Sequence, residues 1–205
     1  MRLVRRRRVP DLSRRCPGCF FPPERCLCGE APRVENRTRV FMVRHWQERV
    51  RTTNSGRWAA LSLSRCEIVD HAVPGAPLDF SRIPVDRAAV LFPSPGGGVP
   101  SHPPETLVVL DATWAQARRM LQRIPALQTL PRLSLPGSVA ERLREPTVKE
   151  GMSTIEALAQ ALELLGDTDA ARGLERTWAL AVERGLSLRW SGAARSTRRP
   201  AGAVR

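Results

Sequence analysis

Lysine is almost missing from this 205-residue chain: Lys149 is the only one, although Lys and Arg together number 33. A phosphate-cradling P-loop needs a Lys after its glycines, and the glycine stretch "LFPSPGGG" (residues 91–98) has neither that Lys nor the spacing of a dinucleotide fingerprint. Long apolar runs are missing too. No stretch approaches the roughly 18 apolar residues of a membrane-spanning helix, so no membrane partner is expected. The opening "MRLVRRRRVP" has a signal peptide's positive charge but no apolar segment behind it. Export is therefore not expected, a reducing cytoplasm is, and disulfides are disfavoured. No repeat period is visible, which removes repeat architectures.

What the chain has instead is arginine. Against 20 acidic residues the basic excess gives a formal charge of +13, the electrostatic footprint of an RNA or DNA partner rather than of a membrane surface. The preference for Arg over Lys fits both a composition bias and a need for bidentate phosphate forks. The length suits one main domain with a small appendage. Residues 1–15 and 191–205 are Arg-rich and aperiodic and read as disordered basic tails. Nothing in the sequence calls for an obligate protein partner.

Between the tails, short apolar runs alternate with helical patterns. Residues 39–46, 66–73, 88–93, 106–111 and 129–135 read as strands. Helical spacing puts Trp114, Ala117, Leu121 and Ile124 on one face of 113–124, and Ile155, Leu158, Ala159, Leu162 and Leu165 on one face of 153–165. A further helix over about 169–187 carries Leu174, Trp178, Ala181 and Val182. The alternation predicts an α/β domain over 37–190 with a mostly parallel sheet.

The strongest local signal is "CPGCFFPPERCLC", which spaces Cys16, Cys19, Cys26 and Cys28 as C-x2-C-x6-C-x-C. Four thiols this close in a reducing compartment match a tetrahedral thiolate site. Structural zinc in a module over 16–36 is the expectation, and an iron–sulfur cluster the lesser one. Cys66 stands alone in a strand and reads as a small core residue rather than a nucleophile.

Three further stretches sit where loops leave strands. "RHWQERVRTTNSGRWA" (44–59) is good turn and N-cap chemistry whose arginines could also grip phosphate. "GMSTIEA" (151–157) places Ser153 at an N-cap with Glu156 in the first turn; capping explains it, and the same helix start could hold an anionic ligand group. "LVVLDATW" (107–114) ends a strand on Asp111. Helix capping by Asp111 or Thr113 and core packing by Trp114 would explain that stretch, as would a ligand at the strand's carboxyl end.

Taken together and in this order, the cysteine cluster, "RTTNSGR", "LFPSPG", "LDATW" and "GMSTIEA" resemble the DTW-domain family of tRNA-uridine aminocarboxypropyltransferases. The family's usual Gly or Ser between Asp and Thr is Ala112 here. The resemblance implies a SPOUT-like α/β domain whose C-terminal part is tucked into a trefoil knot that holds S-adenosylmethionine. It also implies transfer of the 3-amino-3-carboxypropyl group to N3 of a tRNA uridine, in the variable loop, with release of methylthioadenosine. N3 must lose its proton before it can attack, so a carboxylate in reach serves as general base. Asp111 takes that role, with Thr113 and Trp114 positioning it and walling the pocket. Leu91, Phe92, Pro93, Ser94, Gly96, Leu110, Ser153 and Thr154 would line the S-adenosylmethionine site. Arg51, Asn54, Arg118 and Arg144 would face uridine or phosphates. Two rivals stay open: methyl transfer from the same co-substrate, and a non-catalytic zinc-ribbon RNA-binding protein.

Overall fold

The computed structural model describes residues 11–94, 98–135 and 152–196, with side chains to 186. Five parallel strands form one sheet in the order β2-β1-β4-β3-β5. They are β1 Arg39–His45, β2 Cys66–His71, β3 Ala88–Leu91, β4 Thr106–Asp111 and β5 Arg132–Leu133. Helices cover both faces of the sheet and supply the crossovers from β1 to β2 and from β4 to β5. They are α1 Ser55–Ser62, α2 Trp114–Arg123, α3 Pro125–Thr129, α4 Thr154–Leu164 and α5 Thr168–Ser196.

The period-2 alternation of the strands divides the core. Val40 and Met42 of β1, Leu107 and Val109 of β4 and Leu133 of β5 point to the face covered by α1, α4 and α5. Phe41, Val43, Val90 and Val108 point to the other face, against Ala117, Met120 and Leu121 of α2 and Leu127 of α3. β1, β3 and β4 are buried on both sides, which is why they read as nearly continuous apolar runs.

Several element boundaries differ from the sequence expectation. Thr129, expected to open the strand 129–135, instead ends α3, whose Pro125 fits the first helical turn, and β5 shrinks to Arg132–Leu133. The turn-like "TTNSGR" opens the eight-residue α1, with the Asn54 side chain accepting from the Arg57 amide at 2.9 Å. On α5, Val182 is 38% exposed and leaves the buried stripe. The tails are also narrower than expected. Residues 191–196 continue α5, since no proline interrupts it before Pro200. At the other end Asp11 accepts from the Ser13 amide at 3.0 Å in a turn.

The cysteine segment is packed into the domain. Cys19, Phe21 and Leu27 belong to the same buried cluster as α1, α4 and α5. The Trp58 indole donates to the Cys19 carbonyl at 2.9 Å and its ring stacks on Phe21 at 5.5 Å. Arg184 of α5 donates to the Cys26 carbonyl and pairs with Glu30 at 2.6 Å. The connection from β5 to α4 runs through 136–151, outside the described residues, and the expected knot depends on the path of that connection. Among the described residues no helix is long and apolar enough to cross a membrane.

Candidate functional site

The strand order reverses between β1 and β4: the chain leaves β1 through α1 on one face and leaves β4 through α2 on the other. The crevice at the carboxyl ends of such a pair is where ligands bind in open α/β sheets. Three charged residues stand there in register, Asp70 of β2 beside Arg44 of β1 beside Asp111 of β4. Arg44 is 8% exposed and pairs with Asp70 at 2.7 Å. Strand alternation directs this row to the α1/α4 face, the same side as Met42 and Val109.

Asp111 is 2% exposed, and both carboxylate oxygens are occupied. Asn54 donates to Oδ2 at 2.7 Å and the Thr154 hydroxyl donates to Oδ1 at 2.9 Å. Asn54 caps α1 and Thr154 opens α4, so two helix N-termini converge on one carboxylate, as their dipoles favour. Burial pushes the Asp111 carboxyl above the usual carboxylate range, opposed by the Asn54 and Thr154 hydrogen bonds and by the Arg44 and Arg57 charges. The approach of α1 depends on Gly56. A Cβ there would stand 2.6 Å from Asp111 Cγ and 2.7 Å from Met42 Sδ.

The three residues of the D-x-T-W element do not act on one spot. Thr113, expected to position Asp111, is exposed and caps α2 instead; its amide and hydroxyl both donate to Gln116 Oε1, at 2.9 and 2.7 Å. Trp114 stacks on Phe92 at 5.1 Å, the ring planes nearly parallel, and with Leu110 lies on the α2 face. One step along a strand reverses the face, so the element serves both sides of the sheet edge. Asp111 itself caps no helix.

The remaining expected ligand residues divide similarly. Leu91, Pro93 and Ser94 are half-buried at the exit of β3, with the Ser94 amide donating to Ser134 Oγ at 3.3 Å. Ser153 caps α4 in a capping box with Glu156, so its structural role holds. Asn54, expected to face uridine, is 3% exposed and spends its side chain on Asp111 and α1. Arg51 is paired with Glu48 at 3.0 Å. Arg118 is exposed, its guanidinium 6.0 Å from the Trp114 ring centre. Gly96 and Arg144 lie outside the described residues. Arg44, Gly56 and Arg57 lie in the stretch 44–59, but the sequence alone assigns them no role at Asp111. A charged residue at the carboxyl end of an apolar strand, as Arg44 is near the end of β1, is the same signal that marked Asp111.

The four cysteines could hold a metal ion: their sulfurs all lie within 4.8 Å of one another. Cys16 Sγ is 3.4 Å from Cys26 and 3.6 Å from Cys28, and Cys19 is 3.8 Å from Cys26. A tetrahedral ion with thiolates at about 2.3 Å sets edges near 3.8 Å. Backbone amides of Cys19 and Gly18 face the Cys16 sulfur and pull its thiol down to about 6, while burial pushes Cys28 up. Gly18 lets the loop close, since a Cβ would meet Cys28 Sγ at 2.8 Å. Cys66, outside this cluster, packs against the core, and burial pushes its thiol up to about 12.

A family model described as the DTW domain matches residues 13–186, which spans both the cysteine cluster and the Asp111 crevice. The chain belongs to the DTW-domain family. No solved structure matches it. The match treats the cysteine segment and the sheet as one unit, in agreement with their shared core.

Proposed function

We propose that this DTW-domain protein transfers the 3-amino-3-carboxypropyl group of S-adenosylmethionine to N3 of a tRNA uridine, in the cytoplasm, with the variable loop as its target. The observation that carries the reading is Asp111, the Asp of the D-x-T-W element, standing at the β1/β4 switch point with its pKa raised by burial. A carboxylate so raised is a better proton acceptor than a solvated one. Thr154 is half-buried whereas Asn54 is buried, so Oδ1 is the oxygen nearer to a ligand and Oδ2 the anchored one.

The residues near the crevice fit such a co-substrate. Half-buried apolar Leu91 suits an adenine, and the α4 start at Ser153 and Thr154 suits a carboxylate. With S-adenosylmethionine supplying an activated carbon whose sulfur leaves as a neutral thioether, the chain's part is deprotonation and alignment. Asp111 accepts the N3 proton, the freed N3 electron pair forms the new C–N bond, and the C–S pair stays on sulfur. Arg44 tempers the charge on Asp111, and Gly56 lets α1 hold it in place. Zinc in the four-thiolate site, a closed site with no open position, would be structural. A SPOUT-like knot would complete the pocket from the C-terminal side.

The test incubates purified protein with unmodified tRNA and S-adenosylmethionine labelled in the aminocarboxypropyl carbons, with nucleoside mass spectrometry of the product. Gain of an aminocarboxypropyl group on uridine supports the proposal. Gain of a methyl group, or tRNA binding without transfer, overturns it.

A further inference from the structure

One residue beyond Arg44 and Asp70, the sheet edge carries a second row on its other face: His45 of β1 stands in register with His71 of β2. With α2 they enclose a surface cavity of about 360 Å³, a size at the low end of small-molecule sites. None of its lining residues is acidic. Trp46 and Met120 give it apolar walls, Gln47 and Gln116 amide groups, and Arg119 and Arg123, one turn apart on exposed α2, two guanidiniums. Among the described residues neither arginine forms an ion pair.

Two features of the cavity wall stand out. The Nδ1 atom of His71 is closed off within the wall and has no hydrogen-bond partner among the described residues, where native structures nearly always supply one. The residue after it, Ala72, lines the cavity with φ of 61°, a left-handed backbone rare outside glycine. The cavity is also tied to the D-x-T-W element. Gln116, which receives both hydrogen bonds of Thr113, extends its amide nitrogen to Gln47 Oε1 at 2.9 Å and to within 3.2 Å of His45 Nδ1.

We infer that this cavity between β1, β2 and α2 seats one nucleotide of the RNA strand, its phosphate on Arg119 and Arg123 and its base against Trp46, with the Gln47 amide and the imidazoles of His45 and His71 at the base edge. Amides and imidazole offer both donors and acceptors, the set that reads an unpaired base, and paired guanidiniums are the phosphate ligands. The inference rests on the proposed RNA substrate but not on the group transferred. A nucleotide held here lies across the sheet edge from Asp111, so the strand would be gripped on the α2 face while chemistry proceeds on the other.

The chain has only three histidines, His45, His71 and His102, and His102 is exposed outside the cavity. Their imidazole nitrogens can therefore be followed individually by NMR in the full-length protein. Titration with uridine 5′-monophosphate is expected to shift His45 and His71 saturably and leave His102 in place. Inorganic phosphate is expected to bind at least tenfold more weakly, and Arg119→Gln with Arg123→Gln to weaken the nucleotide at least tenfold while leaving the fold intact. Equal binding of phosphate and nucleotide, movement of all three histidines alike, or an unaffected double variant overturns the inference. Absence of any transfer by the unsubstituted protein, with nucleotide binding intact, strikes the proposed function instead.

Discussion

The cysteine cluster and the Asp111 crevice are built in opposite ways. Four sulfurs meet within a 13-residue segment whose turns do the gathering, and the only distant requirement is a surface to pack on. The crevice joins Arg44, Asn54, Asp111 and Thr154, spread over 111 positions from first to last, and exists only once β1, β4, α1 and α4 are all in place. Damage to the first is therefore damage to stability, whereas a well-chosen change in the second leaves the fold and removes chemistry. Each region also depends on one glycine, Gly18 beside Cys28 and Gly56 beside Asp111.

The largest effect expected is on the cysteine side. Such sites couple metal binding to folding, so Cys26→Ser or chelation should release the metal and expose residues 16–35. Because Trp58 and Arg184 bind this segment, the loss should spread to α1 and α5. Hydrogen exchange reads it directly: full protection of α1 and α5 after metal loss would make the segment the separable appendage its length suggests. Metal analysis that finds iron instead of zinc would correct the identity of the ion without touching the coupling.

Asp111→Asn tests the other side. An Asn can accept from Asn54 and donate to the Thr154 hydroxyl, so the network survives and only the base is gone. Turnover should fall 10²–10⁴-fold with co-substrate affinity kept. Stability should move in the opposite direction. A carboxyl whose folded pKa is raised stabilises the fold below its unfolded value of about 3.9 and loses that contribution as pH rises through the folded value. The variant should therefore be at least as stable as the parent at pH 7, with the difference shrinking towards pH 4. Urea unfolding at the two pH values checks the sign. A less stable variant at neutral pH would mean that hydrogen bonds to the charged form outweigh its burial.

The unequal legibility of the two regions follows from the same contrast. The C-x2-C-x6-C-x-C spacing carries its geometry in the sequence, because two tight turns fix the ligands. Strand 106–111 was also legible to the residue, since a doubly buried parallel strand is one apolar run. The functional roles around Asp111 were less so. Asn54 was legible as turn or N-cap chemistry, and it does cap α1, but it was expected to face uridine because nothing local says that α1 starts against β4. The assignment of Thr113 and Trp114 to one pocket failed because sequence adjacency hides the alternation of faces at a strand's end. Helix α5 outran its expected end because propensity weakly limits a helix whose packing begins elsewhere.

The glycines sharpen the comparison at smaller scale. Alanine is intrinsically better than glycine in a helix by up to about 1 kcal/mol, yet at Gly56 its Cβ would overlap Asp111 and Met42. Gly56→Ala should cost about 1–3 kcal/mol of stability by overpacking, and reduce turnover by displacing α1. Gly185→Ala on α5, where nothing lies within 4 Å of an added Cβ, should be neutral or slightly stabilising. Denaturant melts of the pair decide it, and equal behaviour would mean that α1 shifts freely and Gly56 fixes nothing.

The smallest effects concern the arginines, and here the crevice divides again. Under the proposed function, binding of tRNA through phosphates releases counterions, so affinity should fall steeply with salt, and each phosphate contact removed should lower the slope of log K against log salt by about one. Arg118 is exposed and carries no carboxylate partner among the described residues, whereas Arg51 already neutralises Glu48 and would exchange one anion for another. Arg118→Ala should therefore flatten the salt dependence by about one contact, and Arg51→Ala by less, both leaving S-adenosylmethionine binding unchanged. Filter binding across a salt series measures both slopes. If the two variants flatten equally, the Glu48 pair opens on binding and Arg51 reaches RNA after all; if neither does, the strand passes the crevice on the His45 side.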